Sequence, residues 1–134
     1  MESSTRASLD RLAHRAHAGE LHFGLFIGQL IELGVESYRV DHRLASMDFF
    51  LRSDLAHPVV FPPVVGPIGA TLDRAALKAA IGGAQRGELR YPQFVDHIVA
   101  AGVVGYYVWI RGAHVVYFGR SGEQHVEHFP TAAV

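Results

Sequence analysis

The sequence predicts an α+β fold in which two pseudo-symmetric helix-helix-strand-strand repeats share one antiparallel sheet, with the helices packed on one face. Three observations predict it. Residues 19–62 match residues 87–130 without a gap at a spacing of 68, with 16 identities in 44 positions. Each copy opens with apolar residues at helical spacing, and each closes with short runs rich in β-branched and aromatic residues.

The identities run through the whole of each copy. Gly19-Glu20-Leu21 falls on Gly87-Glu88-Leu89, Phe26 on Phe94, Gly34-Val35 on Gly102-Val103, Tyr38 on Tyr106 and Val40 on Val108. Further on, Arg43 meets Arg111, Ala45 meets Ala113, Phe50 meets Phe118, Arg52-Ser53 meets Arg120-Ser121, His57 meets His125, and Phe61-Pro62 meets Phe129-Pro130. Upstream the match is thinner, with Arg6 on Arg74, Leu9 on Leu77 and Ala16 on Ala84. The expectation is a single domain, 1–134, built of two repeats (about 4–62 and 72–130) and joined by a Pro/Gly-rich connector, 62–70. A unit of roughly 60 residues buries too little surface to be secure alone, so the two are expected to share one core.

Taken in order, Leu9, Leu12, Ala13 and Ala16 lie at i, i+3, i+4, i+7, and Leu77, Ala80, Ile81 and Ala84 repeat the pattern, so each copy begins with an amphipathic helix. The second helix carries the stripe Phe23, Phe26, Ile27, Leu30, Ile31, copied by Tyr91, Phe94, Val95, Ile98, Val99. Pro92 suits its first turn, and Gly34 and Gly102 stand where a left-handed glycine ends it. Strands follow at about 36–42 and 47–51, then 105–110 and 115–118, with a further short strand at 57–61 and 125–129. Arg43 to Ser46 and Arg111 to His114 are hairpin connections, the second containing Gly112. Tyr106, Val108 and Ile110 alternate with Tyr107 and Trp109, which predicts a central or interface strand; polar Arg39 and Asp41 set the first copy's strand nearer solvent.

Composition narrows the function classes. There are no cysteines, which removes disulfides, thiolate zinc sites and cysteine nucleophiles and fits a cytoplasmic protein. Twelve Lys+Arg against 13 Asp+Glu give a net charge of -1, so no basic field draws the chain to nucleic acid or to an anionic membrane. The N-terminus is polar, and the longest nearly apolar run, Ile98 to Ile110, is well short of the roughly 20 residues of a membrane helix. Nine histidines would carry the formal charge from -1 to +8 if all were protonated, so solubility and any interface should respond to pH.

The runs Tyr91-Pro92-Gln93-Phe94, Ala101-Gly102-Val103, Tyr106-Tyr107-Val108, Val115 through Glu123 and His128-Phe129-Pro130 have a family look. Together with Leu33 through Asp41 they make the chain resemble a bacterial domain-of-unknown-function family often labelled "phage envelope protein", with a YdfO-like fold. The resemblance implies a small cytoplasmic α+β domain. It implies no established reaction and no catalytic residue.

Several residues are candidates for chemistry. His14 and His17 share a helix face but point away from its apolar stripe, which makes them solvated rather than metal ligands. In His125-Val126-Glu127-His128, strand alternation pairs His125 with Glu127 and turns His128 away. Asp41 and His42, as strand neighbours, project to opposite faces and each needs a partner from elsewhere. His57 and His125 stand at equivalent positions, as do Arg43 and Arg111, and a pseudo-two-fold would draw such pairs toward a common pocket between the repeats. Arg120 is a candidate anion contact, and Tyr38 and Tyr106 offer polar tips on apolar bodies to line a pocket. No Gly-rich phosphate loop, nucleophile elbow or recognisably spaced carboxylate pair is present. The expected function is therefore a cytoplasmic module that binds a small molecule or protein partner between its repeats and self-associates as a homodimer, without cofactor or metal. The alternative is a small metal-independent enzyme using His/Tyr/Arg acid–base chemistry on an anionic substrate.

Overall fold

The computed structural model describes residues 1–130. Its elements follow the periodicities closely: α1 (Ser3–His17), α2 (Phe23–Glu32), β1 (Val35–Asp41), β2 (Ser46–Leu51), β3 (Ala56–Val60), α3 (Arg74–Gln85), α4 (Tyr91–Ala100), β4 (Gly105–Trp109), β5 (His114–Phe118) and β6 (Gln124–His128). The order helix-helix-strand-strand-strand thus occurs twice. Local chemistry sets several boundaries. Asp73 caps α3 by accepting from the Ala76 N–H at 3.0 Å, and Gln93 accepts from the Arg90 N–H at 3.1 Å at the start of α4, with Pro92 in its first turn. Gly102 ends α4 at φ +96°, and a Cβ there would stand 2.2 Å from the Thr71 carbonyl oxygen, so both conformation and space require glycine.

All six strands form one antiparallel sheet in the order β3-β2-β1-β4-β5-β6. Its centre is the β1–β4 pairing, with Tyr38 opposite Val108, Arg39 opposite Tyr107 and Val40 opposite Tyr106. The four helices cover one face, where Leu9, Leu30, Leu77, Ile98, Phe49, Val103 and Val108 are fully buried. Among the described residues no helix covers the other face.

One expectation is corrected. β1 is not the more solvated strand; it is as central as β4, and Arg39, which strand alternation puts on the bare face, is paired there with Asp48 at 2.8 Å. In the hairpins that follow β1 and β4 the left-handed residue is Ala45 (φ 52°) and Ala113 (φ 55°).

Candidate functional site

The site begins where β1 runs out. His42 follows the strand and donates its backbone N–H to the Val104 carbonyl at 2.9 Å, which extends the β1–β4 pairing by a residue and turns the side chain inward. Its ring Nδ1 lies 3.1 Å from the Val103 carbonyl oxygen. A carbonyl only accepts, so Nδ1 carries the proton, and in the neutral ring Nε2 is left as an acceptor. Nε2 is buried, His42 as a whole being only 7% exposed, and it has no hydrogen-bond partner among the described residues. Burial holds this imidazole below the usual histidine value, outweighing the opposing pull of the Val103 hydrogen bond and of Asp41, so the ring is neutral at pH 7. An unmet buried acceptor costs about 1–3 kcal/mol, so Nε2 calls for a donor, either a water or a group of a ligand.

Around His42 is a cavity of about 20 Å³, room for roughly one water or one polar group. Its walls include His17 from the end of α1, Phe61 and Val64 beyond β3, Ser46 and Met47 of β2, and Tyr91 and Val95 of α4. His17 stacks on Phe61 with ring centroids 4.0 Å apart and an interplanar angle of 5°. Burial, with a smaller contribution from neighbouring His14, holds His17 below the usual histidine value too. The Tyr91 hydroxyl lies 2.6 Å from that of Tyr106. Burial pushes Tyr91 up to about 12 and Tyr106 well above the tyrosine range, so both stay protonated. One proton serves the contact between them, and the pair keeps a second O–H to donate.

At the rim, Asp41 is already engaged. Its carboxylate accepts from the Arg43 and Leu44 backbone N–H groups at 2.8 and 3.2 Å and from the Arg43 guanidinium at 3.1 Å. Desolvation pushes that carboxyl up, but the Arg43 and Leu44 hydrogen bonds win and hold it below the usual range. Ser46 likewise donates to Asp48 at 3.3 Å.

Val40, Ala45, Phe61 and Pro62 of the lining recur at the spacing of 68, but its polar residues His17, His42 and Tyr91 do not. Gln85 stands for His17, Ile110 for His42 and Phe23 for Tyr91. There Phe23 meets Phe129 directly, edge to face at 5.0 Å. The His42 cavity therefore lies at one end of the β1–β4 pair, while at the corresponding end Phe23 and Phe129 are in direct contact.

The structure disperses most of the residues singled out from sequence. His57 and His125 do not approach one another: they lie on β3 and β6, the two outer strands of the sheet. Each is held by a carboxylate, His57 Nε2 by Asp10 at 2.7 Å and His125 Nε2 by Glu127 at 3.1 Å. Arg43 and Arg111 follow antiparallel β1 and β4 and so stand at opposite ends of the sheet. Arg120 donates to the Ile68 carbonyl at 3.2 Å, tying down the connector. Tyr38 is buried between Phe26 and Phe49 in the core. Tyr106 borders the site through Tyr91, and Arg43 borders it through Asp41. His17, expected on a solvated face, is half-buried because Phe61 folds back onto it, while His14 stays exposed. Among the described residues no three His, Cys, Asp or Glu side chains converge as a metal site, and no helix is long and apolar enough to cross a membrane.

A model of one protein family, described as "Protein of unknown function (DUF1398)", matches residues 11–127. No curated protein matches the chain.

Proposed function

The chain belongs to this DUF1398 family of proteins of unknown function, and we propose that it is a binding module for a small, largely apolar molecule bearing a hydroxyl or amide head. The observation that carries this is the unpaired, buried Nε2 of His42 at the cavity. A hydroxyl or amide N–H donates to Nε2, and the same head accepts the spare O–H of the Tyr91–Tyr106 pair. The apolar body lies outward against Phe61, Met47 and Val95. The site draws His17, His42 and Phe61 from the first half of the chain and Tyr91 and Val95 from the second, so the ligand bridges the two. The cavity itself takes only the head group, which favours a small ligand over a large cofactor.

Acid–base catalysis is the second reading, favoured by one observation: Nε2 is unprotonated at neutral pH and unoccupied by any internal donor. An anionic substrate fits poorly, because the cavity lining includes the Asp41 carboxylate and no lysine or arginine. With the binding reading go a single domain of two related units, a kinship to the YdfO-like proteins carried by the motif residues quoted above, and a cytoplasmic location carried by the cysteine-free composition.

The test is a nitrogen-detected NMR titration of the histidine rings with isobutanol and N-methylacetamide as probes. We expect the His42 Nε2 resonance to move saturably in the wild type, and the binding to be lost in His42→Phe with the fold intact. Histidine resonances that stay in place at saturating probe would overturn the assignment.

A further inference from the structure

The bare face of the sheet is the second unexplained feature. On it Phe50, Tyr107 and Trp109 form a continuous stack: Phe50 and Tyr107 are 5.9 Å apart and 8° from parallel, Tyr107 and Trp109 4.1 Å apart and 13° from parallel. The stack covers Ser37, whose hydroxyl meets that of Tyr107 at 3.3 Å and which is only 2% exposed. Strand alternation adds Val116 and Phe118 of β5 and Val126 of β6 to the same face. Trp109 is 42% exposed and Val126 47%. On β1 the aligned positions are Arg39 and Asp41, so beyond Phe50 of β2 the apolar residues of the patch lie on β4–β6. A contiguous aromatic and aliphatic surface of this kind on one face of a sheet marks an interface.

We propose that this face is the contact between two copies of the chain, packed sheet on sheet about a two-fold axis. Charge identifies the occupant. At the end of the patch Glu36 and Arg111 flank a depression of about 210 Å³ beside Trp109, both exposed and neither in an ion pair among the described residues. Arg43, the position aligned with Arg111, is by contrast satisfied by Asp41. Trp109 takes the place of that aspartate, which leaves Arg111 a free cation next to a free carboxylate that lies on another strand. In a two-fold contact residue i of one copy meets j of the other and j meets i, so Glu36 and Arg111 of one copy meet Arg111 and Glu36 of the second. An anionic or cationic partner would satisfy one of them and oppose the other; a second copy satisfies both. A standard interface takes roughly 800 Å² from each partner, about a tenth of this chain's 7604 Å² of accessible surface.

Sedimentation velocity of the full chain across the micromolar range tests this. The wild type is expected as a dimer at tens of micromolar, and Trp109→Glu as a monomer with an unchanged circular dichroism spectrum. Glu36→Arg and Arg111→Glu alone should each weaken the dimer about tenfold, and the two together should restore it. A wild type that stays monomeric, or a dimer indifferent to both Trp109→Glu and the charge swap, would overturn the proposal. A second protein pulled onto the face while the chain itself stays monomeric counts against it equally. The His42 cavity plays no part in this test, so the two proposals fail separately.

Discussion

At His42 the two ring nitrogens have different fates, and that difference is the most informative feature of the site. Nδ1 is spent on the Val103 carbonyl, Nε2 on no group among the described residues. Because burial holds His42, and with it His17, below the usual value near 6.5, the unfolded chain takes up these protons on acidification before the folded chain does. Stability is therefore fully present above about pH 6.5 and is lost as pH falls from there toward the folded values, at about 1.4 kcal/mol per pH unit for each group in that window. Denaturant midpoints measured between pH 7.5 and 5.5 should fall with pH, and His42→Phe should flatten part of the slope; a slope unaltered by the substitution would mean His42 is not so held. Tyr91→Phe should cost about 1 kcal/mol in the same assay, the worth of its hydrogen bond to Tyr106, since the ring is retained and the aligned position is already Phe23. In the sequence His42 is named only beside Asp41, because strand alternation says no more than that the two face apart and that each needs a partner from elsewhere. The usable signal was a mismatch, His42 against Ile110 and His17 against Gln85 in otherwise parallel stretches.

The elements themselves were legible almost to the residue. The stripes at i, i+3, i+4, i+7 place all four helices, and the β-branched and aromatic runs place all six strands, because periodicity records which face each element buries. Turn chemistry was less so. The connections 43–46 and 111–114 were read as hairpin turns without the residue that takes the left-handed backbone; it is Ala45 and Ala113, so Ala45→Gly and Ala113→Gly should each raise stability by about 0.5–1 kcal/mol despite the entropy that glycine adds to the unfolded chain. Gly102→Ala should do the opposite, lowering the thermal midpoint by several degrees through steric conflict with Thr71 and a positive φ. Equal midpoints in the three variants would show that these turns are not the strained points of the chain.

For the molecule as a whole, the sequence determined the fold class, the element order, the capping glycines and the presence of two similar halves. Each of these follows from local spacing and from burial that is periodic along the chain. It did not determine where those halves would place their polar groups. Equivalence suggested that His57 would meet His125 and Arg43 would meet Arg111, but a pseudo-two-fold through the β1–β4 pair sends equivalent residues to opposite edges and opposite ends unless they lie near the axis. Only the tertiary structure brought His17, His42, Phe61 and Tyr91 around one cavity, and only it left the Trp109 face bare. The physical reason is range: a helix or strand declares its buried face within a few residues, whereas a site assembled from α1, α4 and the β1–β2 hairpin depends on contacts between residues dozens of positions apart, which no local period encodes.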